Sequence, residues 1–501
     1  MGSNSFRLVV FKYEPGGWWT LVDEIREATR VSAGMGDEGV LKQEPMERAL
    51  RTATVFSSFL KVSGVERVEA VATSAIRDAA NRDELLEQIG DRTGLEVRVI
   101  SGAEEAWYGY LAIANSSTVT NGFGIDMGGG SVQIMRIEDR LLTEAESLRL
   151  GAVRVSESFL PDEDAAPKQV KALRKHVTRQ LSEFEWWDAG ESPRLVGLGG
   201  TIRNLAAAAQ KQLELPDIDA QGFALTRDAL EELIEELASR PASKRGSVRG
   251  IKPDRGDVIL GGALVVAAAM DHGGFTEMEV TEAGLREGIF FERLLESRDP
   301  PLLEEVRRES VQNLAHRFRT DDEHVDHVAQ LSLQMFDALG EAGLHDLGDP
   351  ERELLWAASQ LHDIGVTIGY DDHHRHSHYL ILNSGLPGFS PRELELIALT
   401  TRWHRKGEPD ADSLGALEEK GDEERLQLLC GVIRLAEQLE RSRDRSVAEV
   451  TLDCNKKSVR LHALTNGSDA DPSVAVWAAQ RSAGLLAEAI GKTVEVVAGP
   501  D

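Results

Sequence analysis

Apolar and polar positions alternate with two different periods along the first 300 residues of the chain. The stretches FRLVVFKY (6–13) and LEVRVI (95–100) repeat apolar positions at every second residue, which predicts strands. Between them, PMERALRTATVFSSFLKV (45–62) has the spacing of a helix with one apolar face. Because strands and helices alternate in this way, the sequence predicts an α/β fold.

A glycine-rich turn that leads into an apolar stretch occurs twice. GSNSFRLVV (2–10) can be aligned with the end of GIDMGGGSVQIM (124–135), and the apolar positions after the two turns then coincide. Gly2 falls on Gly128 in this alignment, and Ser5 falls on Ser131. Both segments have the pattern of a strand that leaves a tight turn. The repeat predicts two α/β halves that face a cleft.

The pattern changes after the Pro300-Pro301 pair, where helices without strands continue to about residue 445. Ser390 and Glu393 form a capping-box pattern with a proline between them, which predicts the start of one of these helices. The sequence therefore predicts four regions. They are an α/β half at 1–117, a second α/β half at 118–303, an all-α region at 304–445 and a small α+β region at 446–501.

Composition restricts the class of protein. With 501 residues, 41% of them apolar, the chain can form several domains with substantial cores. Its two cysteines cannot make a disulfide framework, and the sequence has neither a charged-then-apolar leader nor a run of 18 apolar residues. These features favour a cytoplasmic protein that does not enter a membrane.

The net charge of −29 disfavours binding to nucleic acid or to an anionic membrane surface. A polyanionic ligand would need a local basic site. The stretch RPASKRGSVRGIKPDR (240–255) has six basic residues against one acidic residue and is a candidate for such a site. The alternative is a solvated loop in which the basic residues cluster by chance.

Three glycine-containing loops predict a phosphate cradle, because backbone N–H groups can approach an anion closely where no side chain intervenes. The loops are GSNS (2–5), GGGS (128–131) and GLGGT (197–201), and each ends in a hydroxyl residue. A single loop of this kind would be weak evidence, but three predict a phosphate clamped between the two halves.

Two charged groups follow predicted strands near these loops. Glu104 and Glu105, in SGAEEA, stand at the start of a helix, where a carboxylate can orient or deprotonate a water molecule. The alternative is that the pair only complements the helix dipole. Arg77, in TSAIRDA, can hold phosphate oxygens through its guanidinium, or can be a structural ion-pair partner.

Six segments together resemble one protein family. GSNSFRLVV, TSAIRDA, VISGAEEA, IDMGGGSVQ, GLGGTIRN and EAGLREG have the order and spacing of the exopolyphosphatase/guanosine pentaphosphate phosphohydrolase (Ppx/GppA) family. The resemblance implies two actin-like (ribonuclease H-like) α/β domains and Mg²⁺-dependent hydrolysis of a terminal phosphoanhydride. It also implies a homodimer, because long members of the family are commonly dimers.

The resemblance also assigns roles to residues. Glu105 is expected to be the base for water and Asp126 to hold Mg²⁺, with Gln133 as a third residue of the catalytic set. Mg²⁺ would neutralise oxygens of the anhydride, which the glycine loops cannot do. The expected phosphate-binding residues are Gly2, Ser3, Asn4, Ser5, Arg77, Gly128, Gly129, Gly130, Ser131, Gly199, Gly200 and Thr201.

The sequence departs from the family pattern at two places. A strand that ends in Asp-x-Gly normally precedes the first hairpin of the family, whereas this sequence starts at that glycine, Gly2. Because loss of a strand from a buried sheet would leave backbone groups unpaired, we expect the natural chain to begin further upstream. Gln133 stands where the family has an acidic residue, and its carbonyl can still accept a hydrogen bond but brings no negative charge.

Ten of the thirteen histidines lie between residues 316 and 404. The helix that starts at His324 and the segment LHDIG, with His362 and Asp363, resemble the HD phosphohydrolase helical bundle. The resemblance implies a second divalent metal held by these three residues and by Glu437, which stands where the bundle has an aspartate. Imidazole and carboxylate ligands suit Zn, Mn or Fe. The alternative is that the histidines satisfy a structural core.

The sequence therefore predicts an exopolyphosphatase that releases orthophosphate from inorganic polyphosphate. Two alternatives stay open at this level. The first is a guanosine pentaphosphate (pppGpp) 5′-phosphohydrolase, for which the same motifs would serve. The second is a non-catalytic sensor of polyphosphate or nucleotide, which the two departures from the family pattern favour.

Overall fold

The structure, a computed structural model, describes residues 1–36, 39–216, 218–465 and 471–499. The chain divides into two compact units. Unit 1 comprises Met1–Glu214 and Ala220–Val306, and unit 2 comprises Leu215–Asp219 and Arg307–Asp501.

The first half of unit 1 contains a hairpin and a parallel strand pair. Its strands are β1 (Phe6–Tyr13), β2 (Trp19–Glu27), β3 (Ala70–Ala72) and β4 (Val97–Val99). Its helices are α1 (Gln43–Ser63), α2 (Ser74–Arg77), α3 (Arg82–Thr93) and α4 (Gly102–Ala114). The antiparallel β1–β2 hairpin and the parallel β3–β4 pair are separate two-stranded sheets. Phe6, Leu50 and Ile76 form part of the core between these strands and helices.

The second half of unit 1 is built on a six-stranded sheet. Its strands are β5 (Gly122–Met127), β6 (Val132–Glu138), β7 (Leu141–Leu148), β8 (Leu195–Leu198), β9 (Ala224–Thr226) and β10 (Glu277–Val280), in the order β7-β6-β5-β8-β10-β9. Its helices are α5 (Ala152–Phe159), α6 (Pro167–Leu181), α7 (Gly200–Gln212), α8 (Arg227–Ala238), α9 (Ala242–Arg245), α10 (Gly256–Gly273) and α11 (Leu285–Leu294), with a 3₁₀ turn at Pro253–Arg255. β5 pairs antiparallel with β6 and parallel with β8, so its carboxyl end lies beside that of β8.

One segment, Pro253–Gly273, has the length and composition of a membrane span. In the structure 83% of its most apolar stretch is buried inside the protein, and α10, which forms most of it, packs against α5, α6 and α8. Its apolar character is therefore accounted for by its position in the core of unit 1.

Unit 2 is a helical bundle with a small strand-containing tail. Its helices are α12 (Val306–Arg317), α13 (Asp322–Glu341), α14 (Asp349–Leu361), α15 (His373–Ser384), α16 (Pro391–Arg402), α17 (Asp422–Leu439), α18 (Ser473–Ser482) and α19 (Gly484–Ala489), with 3₁₀ turns at Ile364–Thr367 and Ala411–Leu417. Its strands, in sheet order, are β11 (Val447–Cys454), β12 (Ser458–Thr465) and β13 (Thr493–Ala498). The predicted capping box at Ser390 is confirmed, because its hydroxyl accepts from the backbone N–H of Glu393. The tail packs on the same apolar core as the bundle.

Candidate active site

The turn between β5 and β6 is a fixed glycine loop. The backbone N–H of Gly128 donates to the carbonyl of Ser131 at 3.1 Å, which closes the turn. From the other side, the first N–H groups of α5 hold the loop, since Ala152 donates to Gly128 and Val153 donates to Gly129 at 3.0 and 2.9 Å. The carbonyls of Gly128 and Gly129 are thereby used, and the N–H of Gly128 closes the turn, so an anion would be bound by the N–H groups that follow Gly128 in the loop.

The opening of the chain repeats this turn. The N–H of Gly2 donates to the carbonyl of Ser5 at 3.2 Å, as Gly128 does to Ser131. The two turns lie against each other, because a Cβ placed on Gly130 would be 2.6 Å from the hydroxyl oxygen of Ser3. The internal repeat in the sequence thus becomes two glycine turns that meet where the halves of unit 1 face each other.

A third glycine turn, between β8 and α7, lies directly beside Asp126. Gly199 has φ of +100°, a conformation that favours glycine. A Cβ at this position would be 2.8 Å from Asp126 Oδ1 and 2.6 Å from the carbonyl oxygen of Met127. The close approach of the backbone places this turn beside the carboxylate.

The two neighbouring glutamates at the start of α4 have different environments. Glu104 forms the capping box, in which its carboxylate accepts from the N–H of Ser101 at 2.8 Å. Glu105 is 6% exposed, and its carboxylate accepts from Arg77 Nη1 at 2.8 Å. Burial raises the pKa of Glu105, although the hydrogen bond and the charge of Arg77 partly oppose the rise. A buried carboxylate with a raised pKa can act as a general base.

Asp126 lies near the carboxyl end of β5 and is 8% exposed. Burial, together with the charge of Glu105, raises the pKa of Asp126 to about 7. Two carboxylates that repel each other at a buried position form a favourable site for a divalent cation, and carboxylate oxygens are ligands that Mg²⁺ prefers. The residues present at this position therefore fit Mg²⁺.

Gln133 is fully buried beneath the second loop. Its amide Nε2 donates to the hydroxyl oxygens of Ser131 and Ser147 at 3.0 and 2.9 Å. The Ser131 hydroxyl in turn lies 3.4 Å from Glu105 Oε2. Gln133 therefore holds the hydroxyl of Ser131 in place through a hydrogen bond from the interior of the protein.

A cavity of about 400 Å³ in unit 1 brings the predicted residues together. Those that line it are Gly2, Ser3, Asn4, Ser5, Glu105, Asp126, Gly128, Gly129, Gly199 and Gly200. The other residues predicted for the site in unit 1 do not line the cavity. They are Arg77, Gly130, Ser131, Gln133 and Thr201. Arg77 donates to Glu105 and to the carbonyl of Ile100, which makes it the group that holds the buried carboxylate in place.

Sequence reasoning missed a set of arginines that line the same cavity. The set consists of Arg7, Arg67, Arg203, Arg255, Arg286 and Arg293. Burial, together with the nearby Arg286 and Arg203, lowers the pKa of Arg7 to about 10. Burial, followed by the charge of Arg26, also lowers the pKa of Arg255 to about 10. Cations that crowd one another in this way favour a polyanionic ligand.

Signals for some of these arginines were present in the sequence. Arg203 stands in GLGGTIRN and Arg286 in EAGLREG, two of the segments that carry the family resemblance, but only Gly199, Gly200 and Thr201 of the first segment are among the predicted site residues. The basic stretch 240–255 contributes Arg255 to the cavity. Arg245 of the same stretch is buried and donates to backbone carbonyls of Leu237 and Arg240, so its role is structural.

The four residues predicted to hold a second metal converge within unit 2. His324 Nε2 and His362 Nε2 lie 3.1 and 3.3 Å from Glu437 Oε2. Each of these imidazole nitrogens is 3.8 Å from an oxygen of Asp363. Burial alone would lower the pKa of His362, but the carboxylates of Asp363 and Glu437 outweigh it and raise this pKa to about 9.

Comparison with known families agrees with the resemblance seen in the sequence. The model of the Ppx/GppA phosphatase family matches residues 9–297, and the model of domain III of Ppx/GppA phosphatases matches residues 306–469. The first match alone covers more than half of the chain.

Solved structures are similar to about three-fifths of the chain. A Ppx/GppA family member from Aquifex aeolicus is 28% identical, with a TM-score of 0.51, over 60% of this chain and 96% of that one. An exopolyphosphatase from Cytophaga hutchinsonii is 21% identical, with a TM-score of 0.54, over 59% of this chain and 96% of that one. With the strand order described above, these likenesses confirm the predicted fold class of two actin-like α/β halves followed by a helical region and a small tail with strands.

Proposed function

The chain belongs to the Ppx/GppA phosphatase family, and from this premise we propose that it is an exopolyphosphatase. In this proposal it hydrolyses the terminal phosphoanhydride bond of inorganic polyphosphate and releases orthophosphate. The observation that carries the proposal is a buried carboxylate, Glu105, in a cavity lined by glycine loops and arginines.

Binding would rest on the loops and the arginines. Backbone N–H groups of the loops that begin at Gly2 and Gly128 can surround the terminal phosphate from two sides. Further phosphates of the chain would contact the arginines, of which Arg7 and Arg286 share one acidic partner, Glu24. These guanidinium groups lie close together and repel one another. A substrate with many negative charges would relieve that repulsion.

The reaction needs a base that faces the terminal phosphorus. A water oxygen forms the new bond to that phosphorus while the bridging P–O bond breaks, and the shortened polyphosphate leaves with the bridging oxygen. Glu105 accepts the proton that the water loses, because its raised pKa makes it a stronger base than an exposed glutamate. Arg77 fixes the direction of the carboxylate through its hydrogen bond to Oε2.

Asp126 is the residue that would hold Mg²⁺. Bound there, the ion would neutralise charge on the phosphate oxygens as the anhydride breaks. The backbone of Gly199 beside the carboxylate limits how far Asp126 can move.

Phosphate release from long-chain polyphosphate with Mg²⁺ tests the proposal. We expect the Glu105→Gln variant to lose about 10²–10⁴-fold in kcat, as removal of a general base does. Glu104→Gln is the matched control, since Glu104 is the adjacent residue but forms only the helix cap and an ion pair with Arg98. We expect this control to keep its activity within about tenfold, because a lost cap costs about 1 kcal/mol.

Guanosine pentaphosphate is assayed in parallel. Release from the nucleotide without release from polyphosphate would replace the proposed substrate. Equal rates of polyphosphate hydrolysis in the wild-type chain and in Glu105→Gln would refute the role of the carboxylate. A folded protein that releases phosphate from neither substrate would favour a sensor.

A further inference from the structure

Gln133 belongs to the predicted catalytic set, yet it does not line the cavity of unit 1. It lies on β6, directly opposite Asp126 of β5 in the register of the two strands. Its side chain is fully buried, so solvent does not reach its amide group. What this glutamine can do therefore depends on the neighbours that its amide holds.

The amide of Gln133 is held through its nitrogen. Nε2 donates to Ser131 Oγ at 3.0 Å and to Ser147 Oγ at 2.9 Å, which uses both of its N–H groups. Oε1 has no hydrogen-bond partner among the residues that the structure describes. The glutamine thus acts on its surroundings as a donor to two hydroxyl groups.

The hydroxyl of Ser131 is directed at Glu105 as a result. Because an amide nitrogen only donates, the Ser131 oxygen accepts from Gln133 and keeps its own hydrogen for another acceptor. That oxygen lies 3.5 and 3.4 Å from the two carboxylate oxygens of Glu105. These separations are long, as contacts of catalytic groups commonly are before substrate binds. Gln133, Ser131 and Glu105 thus form a chain in which each group donates to the next.

The carboxylate of Glu105 is held from two directions. Arg77 Nη1 donates to Oε2 at 2.8 Å, and the Ser131 hydroxyl approaches both oxygens. Arg77 belongs to α2, whereas Ser131 belongs to the glycine loop between β5 and β6. Donors on separate elements limit rotation of a carboxylate more than one donor does, and a base must be fixed in direction to act on water.

The second serine connects Gln133 to the helix that carries Glu105. Ser147 lies on β7 and accepts the other N–H of Gln133. A Cβ placed on Gly102 would be 2.6 Å from Ser147 Cβ, so the first residue of α4 packs directly on this serine. One amide group therefore ties the glycine loop at 128–131 to β7, against which α4 begins.

An acidic residue, which the family pattern has at this position, would not supply the same arrangement. An ionised carboxylate has no hydrogen to donate to Ser131 or Ser147. It would accept from the Ser131 hydroxyl, which would then turn away from Glu105. It would also add a third carboxylate to Asp126 and Glu105, which are themselves buried.

We propose that Gln133 is a positioning residue, which orients the Ser131 hydroxyl and, through it, the carboxylate of Glu105. The inference rests on the proposed function of unit 1, in which Glu105 is the base. Gln133 itself does not reach the cavity and so contacts no substrate atom. Its loss should lower kcat, which depends on the direction of the base, and should leave KM for polyphosphate nearly unchanged, because the arginines that bind the substrate remain.

Phosphate release from long-chain polyphosphate at saturating Mg²⁺ is measured for Gln133→Met and Gln133→Glu. Methionine has a similar volume but no donor, and glutamate has the same shape but only accepts. We expect kcat to fall about 10–100-fold in both variants, with a change in KM below about threefold. A kcat of Gln133→Glu equal to or above that of the wild-type chain would overturn the proposal, because residue 133 would then act as an acceptor or a charge.

The Glu105→Gln chain separates positioning from a merely structural role. If Gln133 acts through Glu105, adding Gln133→Met to that chain should lower the residual kcat by less than about twofold. A further fall as large as the one in the wild-type chain would contradict this. A wild-type chain that releases no orthophosphate would refute the proposed function, whereas an active wild type with an unaffected Gln133→Met would refute only the positioning role.

Gln221→Met is the matched control. Gln221 is another buried glutamine of unit 1, its amide donates to the backbone carbonyl of Ser116 at 2.9 Å, and it does not line the cavity. We expect this variant to have a lower Tm and an unchanged kcat. A fall in kcat equal to that of Gln133→Met would show that loss of any buried amide in this unit disturbs the site.

Thermal unfolding without Mg²⁺ tests the chain of hydrogen bonds independently of activity. Tm is measured for Gln133→Met, Ser131→Ala and the double variant. Because the two side chains share a hydrogen bond, the fall in Tm of the double variant should be smaller than the sum of the two single falls. The falls of Gln221→Met and Ser131→Ala should instead add. Additive falls for Gln133→Met and Ser131→Ala would overturn the proposal even if every variant were inactive.

Discussion

Residues of one type have different environments in this protein, even where they lie close together in the sequence. Glu104 and Glu105 are adjacent, yet one is an exposed helix cap and the other is a buried carboxylate that bonds to Arg77. Arg203 and Arg255 line the cavity of unit 1, whereas Arg245, from the same basic stretch as Arg255, is used within the fold. The chemical role that a side chain can take is thus set by its burial and by the charges nearest to it.

Asp126 leads to a prediction about pH. Its pKa is about 7 in the folded protein, above the ordinary value of 3.8, so the folded state retains a proton that the unfolded state has lost. Stability of the metal-free protein should therefore fall as pH rises from about 4 to about 7. In the proposed function Mg²⁺ would bind the ionised carboxylate, so we expect the rise in Tm caused by Mg²⁺ to be larger at pH 8 than at pH 6.

Scanning calorimetry with and without Mg²⁺ measures this effect. Asp126→Asn should show no Mg²⁺-dependent shift in the transition of unit 1, and without Mg²⁺ it should be more stable than the wild-type chain at pH 8. A Mg²⁺-induced shift of the same size at pH 6 and pH 8 would contradict the assignment.

At the level of elements, two of the three glycine loops are held by a neighbouring helix or strand. The loop after β5 is supported by the first turn of α5, and the turn before α7 packs on the end of β5. Gly151, which precedes α5, was not identified from the sequence. A Cβ there would overlap backbone atoms of Gly129 and Gly130.

Gly151→Ala should therefore displace the second glycine loop. Because the added atom meets backbone and not a movable side chain, we expect a loss of about 1–3 kcal/mol in the free energy of unfolding. Phosphate release should fall at least about tenfold, since a small misplacement of the loop lowers the rate. Chemical denaturation and the polyphosphate assay measure the two effects.

Gly90→Ala is the control for this substitution. Gly90 lies within α3, and nothing is within 4 Å of a Cβ placed there. Alanine in a helix should increase stability by about 0.5–1 kcal/mol and leave activity unchanged. Equal behaviour of the two variants would show that the α5 contact does not position the loop.

At the scale of the whole molecule, charge is distributed unevenly. The chain has a net charge of −29, yet each unit contains an arginine-lined cavity. The overall field repels polyanions, and the local cavities attract them at short range. Discrimination against nucleic acid and binding of a phosphate compound are therefore compatible.

Polyphosphate binding should consequently depend on salt. Raising the ionic strength from about 0.05 to about 0.5 M shortens the screening length, and we expect KM for polyphosphate to rise several-fold with little change in kcat. Arg286→Gln should raise KM by about 3–10-fold at low salt. Arg136→Gln, at an exposed arginine on β6 that pairs with Glu138, is the control. An unchanged KM in Arg286→Gln would exclude this arginine from binding.

The sequence by itself determined those features that depend on neighbours within a few residues. These include the strand and helix periods, the repeated glycine turn and the capping box at Ser390, and the order of the motifs indicated the family. It also indicated that His324, His362, Asp363 and Glu437 belong together, although their role as metal ligands stays a prediction. Local patterns suffice here because turns, caps and amphipathic faces form from contiguous residues.

Only the tertiary structure decided which distant residues meet. Arg7 and Arg286 approach the same acidic residue, Glu24, although their positions in the chain are far apart, and His373, not its neighbour His376, faces Asp363. Neither fact follows from local pattern, because the direction of a side chain into a cavity depends on how its helix or strand packs against others. The sequence therefore determined the loops and the chemical types of residue, and packing determined which arginines line the cavity of unit 1 and which histidines meet Asp363 in unit 2.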